Sequence, residues 1–382
     1  MKFAHMGDCH LGGWRQPELR QLNLESFRFA INEIIKEKLD FVLIAGDLFD
    51  NPYPPIDTIK ETFQEFRKLK DAKIPVFLIA GSHDYSATGK SFLDVLEKAG
   101  FAKNVFKFEE RNNSIILQPT LFKNTAIYGY PGRKSGLEVK DIERIKLQDS
   151  PGLFKILMLH TSIRDAVKTL PIPAVNQDSL PAVDYLALAH LHIKYNKLNR
   201  VYCGPTFPNN YEELEELQGG SFYIIDTSGK IERKKIIIKE ILVLNKDIKN
   251  AISATDEILD ELKKHDLKNK IVILKLSGIL ETGKISNIKL NEIEKFARVN
   301  GAYSFLKNTS KLYISEPEVN IEIQSENLEE EIIKKFRDKN PHKLNILISS
   351  LISALQAEKK EEETTKNFEE RLFSESNKIL EI

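Results

Sequence analysis

The sequence predicts an α/β fold: a layered β-sheet core flanked by helices, followed by a small α+β domain and a helical C-terminal tail. Three observations predict it. Continuous apolar runs that stop at glycine, FVLIAGD (41–47) and IPVFLIAGS (74–82), have the pattern of strands buried on both faces. The stretches beside them repeat apolar residues at helical spacing, which gives β-α-β order. Past about residue 240 the texture changes to a smaller mixed unit, and beyond it to acidic and charged segments around two apolar stripes.

The elements follow in chain order. MKFAHMGDCHLGG opens with a short apolar run, FAHM, that halts at Asp8 and His10. Alternate residues of an extended chain point the same way, so both side chains are expected on one strand face, directed past the strand end. Leu24, Phe27, Ile31 and Ile34 form one helical stripe, and Ile56, Ile59, Phe63 and Phe66 another. TAIYGY, FKILMLH, VDYLALAH, NRVYCG and SFYIID supply further strands, the last turning through Thr-Ser-Gly into KKIIIKE as a hairpin. The second domain, 241–316, holds IVILKLSG (271–278), a helix around NEIEKFARV and the strand KLYIS (311–315). The third segment, 317–382, opens within the acidic connector SEPEVNIEIQSENLEEE, which begins at Ser315. Asn340-Pro341 reads there as the cap and first position of a helix striped by Leu344, Leu347, Ile348, Leu351, Ile352 and Leu355. After the charged spacer AEKKEEETTK, Phe368, Leu372, Phe373 and Ile379 line another helix.

Composition narrows the class. A chain of 382 residues suggests about two domains with some length left for a tail. With 41% hydrophobic and 29% charged residues it reads as soluble and globular. No apolar stretch approaches the roughly 18 residues that span a bilayer, so no membrane partner is expected. No cationic leader precedes a long apolar run, and the only cysteines are Cys9 and Cys203, so a reducing, cytoplasmic location is expected. Lys+Arg equals Asp+Glu at 56 each, so any phosphate-binding surface must be local.

Five of the eight histidines, His10, His83, His160, His190 and His192, fall at ends of predicted strands in the first domain. Their segments are DCH (Asp8, His10), GDLFD (Gly46, Asp47, Asp50), GSHD (Gly81 to Asp84), LMLH (His160) and AHLH (His190, His192). Ligands of open α/β sheets gather beyond the carboxyl ends of strands, so these segments are expected at one edge. Singly each is weak: a D-x-H ordinarily marks a turn, GD after a strand likewise, and a lone buried histidine a satisfied core residue. Together they read as a metal site. Mixed imidazole and carboxylate donors suit Mn²⁺, Fe²⁺ or Zn²⁺ better than Ca²⁺ or a bare Mg²⁺ site. Two ions about 3.5 to 4 Å apart need a bridging carboxylate, and Asp47, between the others in chain order, is the candidate. Such a pair can bridge a phosphate and stabilise charge in an in-line displacement, so phosphoester hydrolysis is the implied chemistry.

D-x-H, GD-x-x-D, the GSHD segment, a strand-end His and a final H-x-H, in that order, resemble the calcineurin-like metallophosphoesterase superfamily over about residues 1–230. In finer detail MKFAHMGDCHLG, LIAGDLFDNPYPP and AHLHIKY resemble the DNA-repair nucleases of the Meiotic Recombination Eleven type and their bacterial SbcD relatives. The resemblance implies a metallophosphoesterase domain over 1–240 and a capping domain over 241–316 that helps present DNA. Over 317–382 it implies an acidic linker and a helical tail that docks an SMC-like ABC ATPase of the SbcC type. It implies that Asp8, His10, Asp47 and His192 hold one ion and that Asp47, Ser82, His160 and His190 hold the other, with manganese the expected metal. His83, oriented by Asp84, would protonate the leaving oxygen or stabilise the pentacovalent phosphorus. It further implies exonuclease and endonuclease action on DNA in double-strand-break repair, a homodimer formed through the two early amphipathic helices, and a nucleoid-associated place in the cytoplasm.

Two positions depart from the family pattern. Ser82 stands where the family has Asn, and its shorter hydroxyl reaches a metal poorly or only through water. Ala189 stands where the family has Gly, a small change unless that backbone needs positive φ. A catalytically weak DNA-binding scaffold for the ATPase is therefore one rival, and a small-nucleotide phosphodiesterase is the other, although that enzyme would need neither capping domain nor tail. Plainer roles fit other residues. Asp50 reads as a supporting partner or loop cap, and Cys9 and Cys203 as buried filler. Trp14 and Arg15 either touch a nucleic acid or anchor a loop, and Arg133, Lys134, Lys194 and Arg200 either meet phosphates or form a solvated face.

Overall fold

Strands and helices alternate along the first part of the computed structural model as the apolar runs predict. The order is β1 (Lys2–Met6), α1 (Pro17–Lys36), β2 (Phe41–Ala45), α2 (Ile56–Asp71), β3 (Val76–Ile79), α3 (Phe92–Lys98) and β4 (Lys103–Asn104). Short strands follow: β5 (Phe108–Arg111), β6 (Ser114–Leu117), β7 (Thr120–Phe122) and β8 (Thr125–Tyr130). Then come α4 (Glu138–Ile142), β9 (Ile145–Leu147), β10 (Phe154–His160), α5 (Arg164–Val167), β11 (Tyr185–Ala189), β12 (Tyr195–Lys197) and β13 (Arg200–Tyr202). α6 (Tyr211–Leu217), β14 (Gly220–Asp226) and β15 (Ile231–Ile236) close this part, the last two as the expected hairpin. The structure describes residues 1–86, 91–168, 170–314, 333–334, 336–338, 340–357 and 365–380.

Two six-stranded sheets result, β15-β14-β1-β2-β3-β4 and β12-β13-β11-β10-β8-β7, with β5-β6-β9 as a smaller third. β1 to β4 run parallel in one sheet, and β8, β10, β11 and β13 in the other. The period of two along each strand sorts the side chains into layers. Phe3, Phe41, Leu43, Phe77 and Ile79 of the first sheet share a buried cluster with Ile156, Met158, Tyr185 and Ala187 of the second. Their neighbours Ala4, Met6, Val42, Ile44 and Leu78 face the other way, onto Phe27, Ile31 and Ile34 of α1 and Phe66 of α2. At roughly 1.5–3 kcal/mol per large apolar side chain removed from water, these interiors outweigh the exposed ion pairs in setting how the layers sit. α1 begins with Pro17 at its first turn, as its missing N–H permits, and is tied to α2 by Arg28, which pairs with Glu61 and Glu65.

A second, all-parallel sheet unit is built from β16 (Ile241–Asp247), α7 (Ala254–Lys263), β17 (Ile271–Leu280), α8 (Leu290–Val299) and β18 (Ser304–Ile314), in the order β16-β17-β18. It has a core of its own around Val272, Leu274, Ile258, Leu262 and Ile293. Ile271, Ile273 and Leu306 also pack with Trp14, Leu19, Leu22, Phe207 and Leu214 of the larger part. Met1–Ile314 forms one compact unit and Ser315–Ile382 another.

The unit Ser315–Ile382 contains α9 (Ile348–Leu355), entered through a 3-10 turn at Lys343–Leu347, and α10 (Thr365–Leu380). Asn340-Pro341 does not start the first of these. The cap is His342, whose Nδ1 accepts from the Leu344 N–H at 3.2 Å, while the Asn340 N–H is turned back to the Phe336 carbonyl at 2.9 Å. The acidic connector lies outside the described residues. Among the described residues no helix is long and apolar enough to cross a membrane.

Candidate metal centre

The predicted site segments all follow carboxyl ends of parallel strands, but the strands belong to two sheets rather than one. Asp8, Asp47 and Ser82 to Asp84 follow β1, β2 and β3, His160 ends β10, and His190 and His192 follow β11. Asp8 and His10 are not strand residues: β1 stops at Met6 and both take left-handed backbone, with φ of 47° and 43°. What aims them is a loop-to-loop ladder in place of strand alternation. The Asp8 N–H donates to the Gly46 carbonyl, and the His10 N–H to that of Asp47, each at 3.0 Å. Asp47 is left-handed as well, at φ 49°, and each such residue costs on the order of 1–2 kcal/mol that the surrounding bonds must hold.

Close approach dictates two glycines. A Cβ on Gly46, whose φ is 98°, would stand 2.4 Å from His160 Nδ1. A Cβ on Gly7 would stand 2.8 Å from that of Ala189. Ala189 itself sits in β11 with ordinary strand backbone, and the positive φ falls on His190, at 97°, so the Ala189 departure carries no backbone strain.

Two groups of donors form around Asp47. In one, His10 Nε2 and His192 Nε2 are 3.2 Å apart, with His192 Nε2 4.0 Å from Asp8 Oδ1. In the other, His160 Nε2 is 3.1 Å from Asp47 Oδ2, with Asp8 again nearby. Asp47 Oδ2 also lies 3.8 Å from His10 Nε2, so a single oxygen reaches both groups, as a bridging carboxylate must. His10, Asp50 and His83 make a third cluster. Ser82 Oγ donates to Asp47 Oδ2 at 3.3 Å. His190 stands beside His160, its ring centroid 5.0 Å away, outside the grouped donors, while its N–H bonds both Asp8 oxygens.

These residues fit cations. His160 Nδ1 faces the Ala45 carbonyl at 3.0 Å, which can only accept, so the proton belongs on Nδ1. Its buried Nε2 then meets the Asp47 carboxylate without a hydrogen bond, a contact that requires a proton or a metal between them. Burial lowers the His160 pKa, but the Asp47 charge outweighs it and brings it up to about 9. For Asp47, burial works upward, yet His160, with His10 and His83, holds it far below the usual carboxylate range. Burial likewise opposes the rise of His192 to about 9, which comes from Glu213 and Asp8. Burial and the charge of His160 push His190 down.

Asp84 does not orient His83. Its buried carboxylate accepts from the backbone N–H groups of Leu48 (3.2 Å), Phe49 (3.1 Å) and Gly81 (3.1 Å), tying the second and third loops together. Burial and then the Asp47 charge raise its pKa to about 6. His83 Nδ1 faces the Asp50 carbonyl at 2.8 Å, which leaves Nε2 of this half-exposed ring to solvent. Trp14 is a loop anchor: it is buried and its Nε1 donates to the Pro208 carbonyl at 2.8 Å. Arg133 and Arg200 are paired with Asp141 and Asp165. Cys9 and Cys203 are buried, and burial pushes both thiols up.

One participant was missed from sequence. Glu213 Oε1 lies 2.8 Å from His192 Nδ1. The spacing Asn210 to Glu213 is a helix-start signal, but nothing local in YEELEEL points toward a histidine 21 residues earlier.

The calcineurin-like phosphoesterase family model matches residues 1–194 of the 382. The chain is a calcineurin-like phosphoesterase. Its helix-flanked α/β sheets are the metallophosphoesterase fold, and its grouped Asp and His residues make divalent metals the expected cofactors. This phosphoesterase is similar to archaeal proteins named DNA double-strand break repair protein Mre11. It is 28% identical over 327 residues to that of Methanosarcina acetivorans, covering 79% of this chain and 49% of that protein. The match to Methanococcus maripaludis is 29% over 296 residues, covering 71% and 78%. The match to Aeropyrum pernix is 30% over 256 residues, covering 62% and 61%. The phosphoesterase thus spans about half the length of the first relative.

Proposed function

We propose that this phosphoesterase is a DNA nuclease that hydrolyses phosphodiesters with two divalent ions, manganese foremost, in the repair of double-strand breaks. The observation that carries the reading is Asp47 Oδ2, within 3.1 Å of His160 and 3.8 Å of His10, at the meeting of loops from both sheets. The similarity to proteins named for double-strand break repair supports DNA as substrate. Asp8, His10, Asp47 and His192 would hold one ion, and Asp47, His160 and His190 with Ser82 the other. Ions held there would supply Lewis-acid stabilisation of the charge that develops in an in-line displacement at phosphorus. His83 is the acid: the Asp50 carbonyl keeps its Nδ1 proton, so the protonated ring has only Nε2–H to give to a leaving oxygen.

In the same reading residues 1–240 are the catalytic domain and 241–316 cap it over the DNA. The apolar stripes of 317–382 dock an SMC-like ABC ATPase of the SbcC type. α1 and α2 pair two protomers, and the complex works at the nucleoid. A plasmid-nicking assay with metal analysis tests the enzyme. Two ions per chain and Mn²⁺-dependent nicking, lowered about 10²-fold or more in His83→Leu, are expected. Nicking by His83→Leu at the parent rate would remove His83 from the chemistry. DNA binding without turnover by the parent would favour the scaffold, a reading that the Ser82 hydroxyl, turned onto Asp47, also suits.

A further inference from the structure

We infer that Glu213 is a positioning residue of the metal centre: it fixes the His192 imidazole with Nδ1–H toward α6 and Nε2 presented beside His10. The inference rests on the metal reading above and concerns a residue outside the donor set. Every bond to the Glu213 carboxylate points the same way. Oε1 accepts from Asn210 Nδ2 at 2.7 Å and faces His192 Nδ1 at 2.8 Å, and Oε2 accepts from the Asn209 N–H at 2.8 Å. A carboxylate only accepts, so Nδ1 must carry hydrogen and the lone pair of the neutral ring is left on Nε2, 3.2 Å from His10 Nε2. With Nδ1–H held by Glu213, only Nε2 can change between N–H and lone pair, so a cation bound by this ring is met at Nε2, beside His10.

The carboxylate has little freedom. Glu213 is in the first turn of α6, whose cap is Asn210, with the Glu213 N–H donating to Asn210 Oδ1 at 2.9 Å. Leu214 is wholly buried, in one cluster with Trp14, Ile271 and Ile273, and Glu215 pairs with Lys275 of β17. α6 is thereby clamped between the larger part and the small sheet, and it holds out a single acceptor to a ring two residues past the left-handed His190. Carboxylates that orient a metal-binding histidine in this way are worth about 10- to 100-fold in affinity.

Glu213→Gln keeps size and shape but spoils the pattern. If its amide oxygen serves Asn209, its NH₂ opposes His192 Nδ1–H; if the oxygen serves His192, the NH₂ opposes the Asn209 N–H. Mn²⁺ titration calorimetry on the full chain should show one of two ions bound about 10- to 100-fold more weakly in Glu213→Gln and in Glu213→Ala, the other within a few-fold. Histidine ¹⁵N spectra of the Zn²⁺-loaded parent should show a slowly exchanging His192 Nδ1–H that is lost in Glu213→Gln. A capping role alone would lower the melting temperature and leave both readouts unmoved, which overturns the inference, and Glu213→Gln answers even if Glu213→Ala fails to fold. Equal binding by parent and Glu213→Gln takes down this inference only; a parent that binds no divalent ion takes down the metal reading with it.

Discussion

Lowering the pH should loosen the sandwich through His5, a residue outside the donor groups. His5 lies on β1 and faces the second sheet, fully buried, with Nδ1 2.9 Å from the Tyr185 hydroxyl of β11 and Nε2 without a hydrogen-bond partner among the described residues. Burial with no acid beside it lowers its pKa from 6.5 to about 3. The unfolded chain takes up this proton below pH 6.5 and the folded chain does not until about pH 3, so between those values unfolding binds a proton. The stabilising contribution is therefore whole above pH 6.5 and is lost as the pH falls. At pH 5 the loss is RT ln(1 + 10^1.5), about 2 kcal/mol, a sizeable part of the roughly 5–15 kcal/mol that holds a domain together. The variant His5→Asn keeps a polar atom for Tyr185 and cannot titrate. Urea unfolding of both proteins from pH 8 to pH 5 should find the parent more stable at pH 8, because the smaller side chain leaves a cavity. That gap should stay constant to about pH 7 and shrink by about 2 kcal/mol at pH 5. Parallel curves would refute the reasoning, since they would mean that His5 titrates in the folded protein as it does in water.

Three other outcomes follow from the site. Ser82→Asn supplies an amide oxygen where a hydroxyl now bonds Asp47, and calorimetry should find the weaker Mn²⁺ bound several-fold more tightly; an unchanged isotherm would mean that the hydroxyl is not limiting. Gly46→Ala puts a Cβ 2.4 Å from His160 Nδ1 on backbone at φ 98°, so thermal melting should show at least 2 kcal/mol of lost stability, on the order of a strained left-handed residue plus a clash, together with weakened metal binding. His160 and His192, both at about 9 without metal, are protonated at neutral pH, so Mn²⁺ must displace protons as it binds. Its apparent affinity should rise with pH up to about 9, and calorimetry in buffers of different ionisation enthalpy should count the protons released; a pH-independent affinity would contradict these values.

How much of this was legible beforehand depends on the distance over which each feature is decided. β2 and β3 were plain because a strand buried on both faces must be apolar throughout and must stop where Gly46 and Gly81 let the loops approach His160 and Asp47. β16 and α7 were not, because β16 is buried only at Leu244 and is half-buried or exposed elsewhere, so ILVLNKD shows neither a continuous run nor strict alternation. The donors were visible by residue type and order, yet their aim was not: strand alternation was expected at Asp8 and His10, whereas bonds to the 46–48 segment bend both residues into left-handed backbone. Asp84 shows the same limit. Its place beside His83 in the chain suggests a partnership, but three backbone N–H groups from two loops compete for its carboxylate and leave His83 to the Asp50 carbonyl. Glu213 completes the pattern from the other side, since it meets His192 only because α6 is seated by Leu214 and Lys275, contacts that no local spacing encodes. Residue type therefore announces which atoms can bind a cation, while the packing of helices and loops between two sheets decides which lone pairs are left to do it.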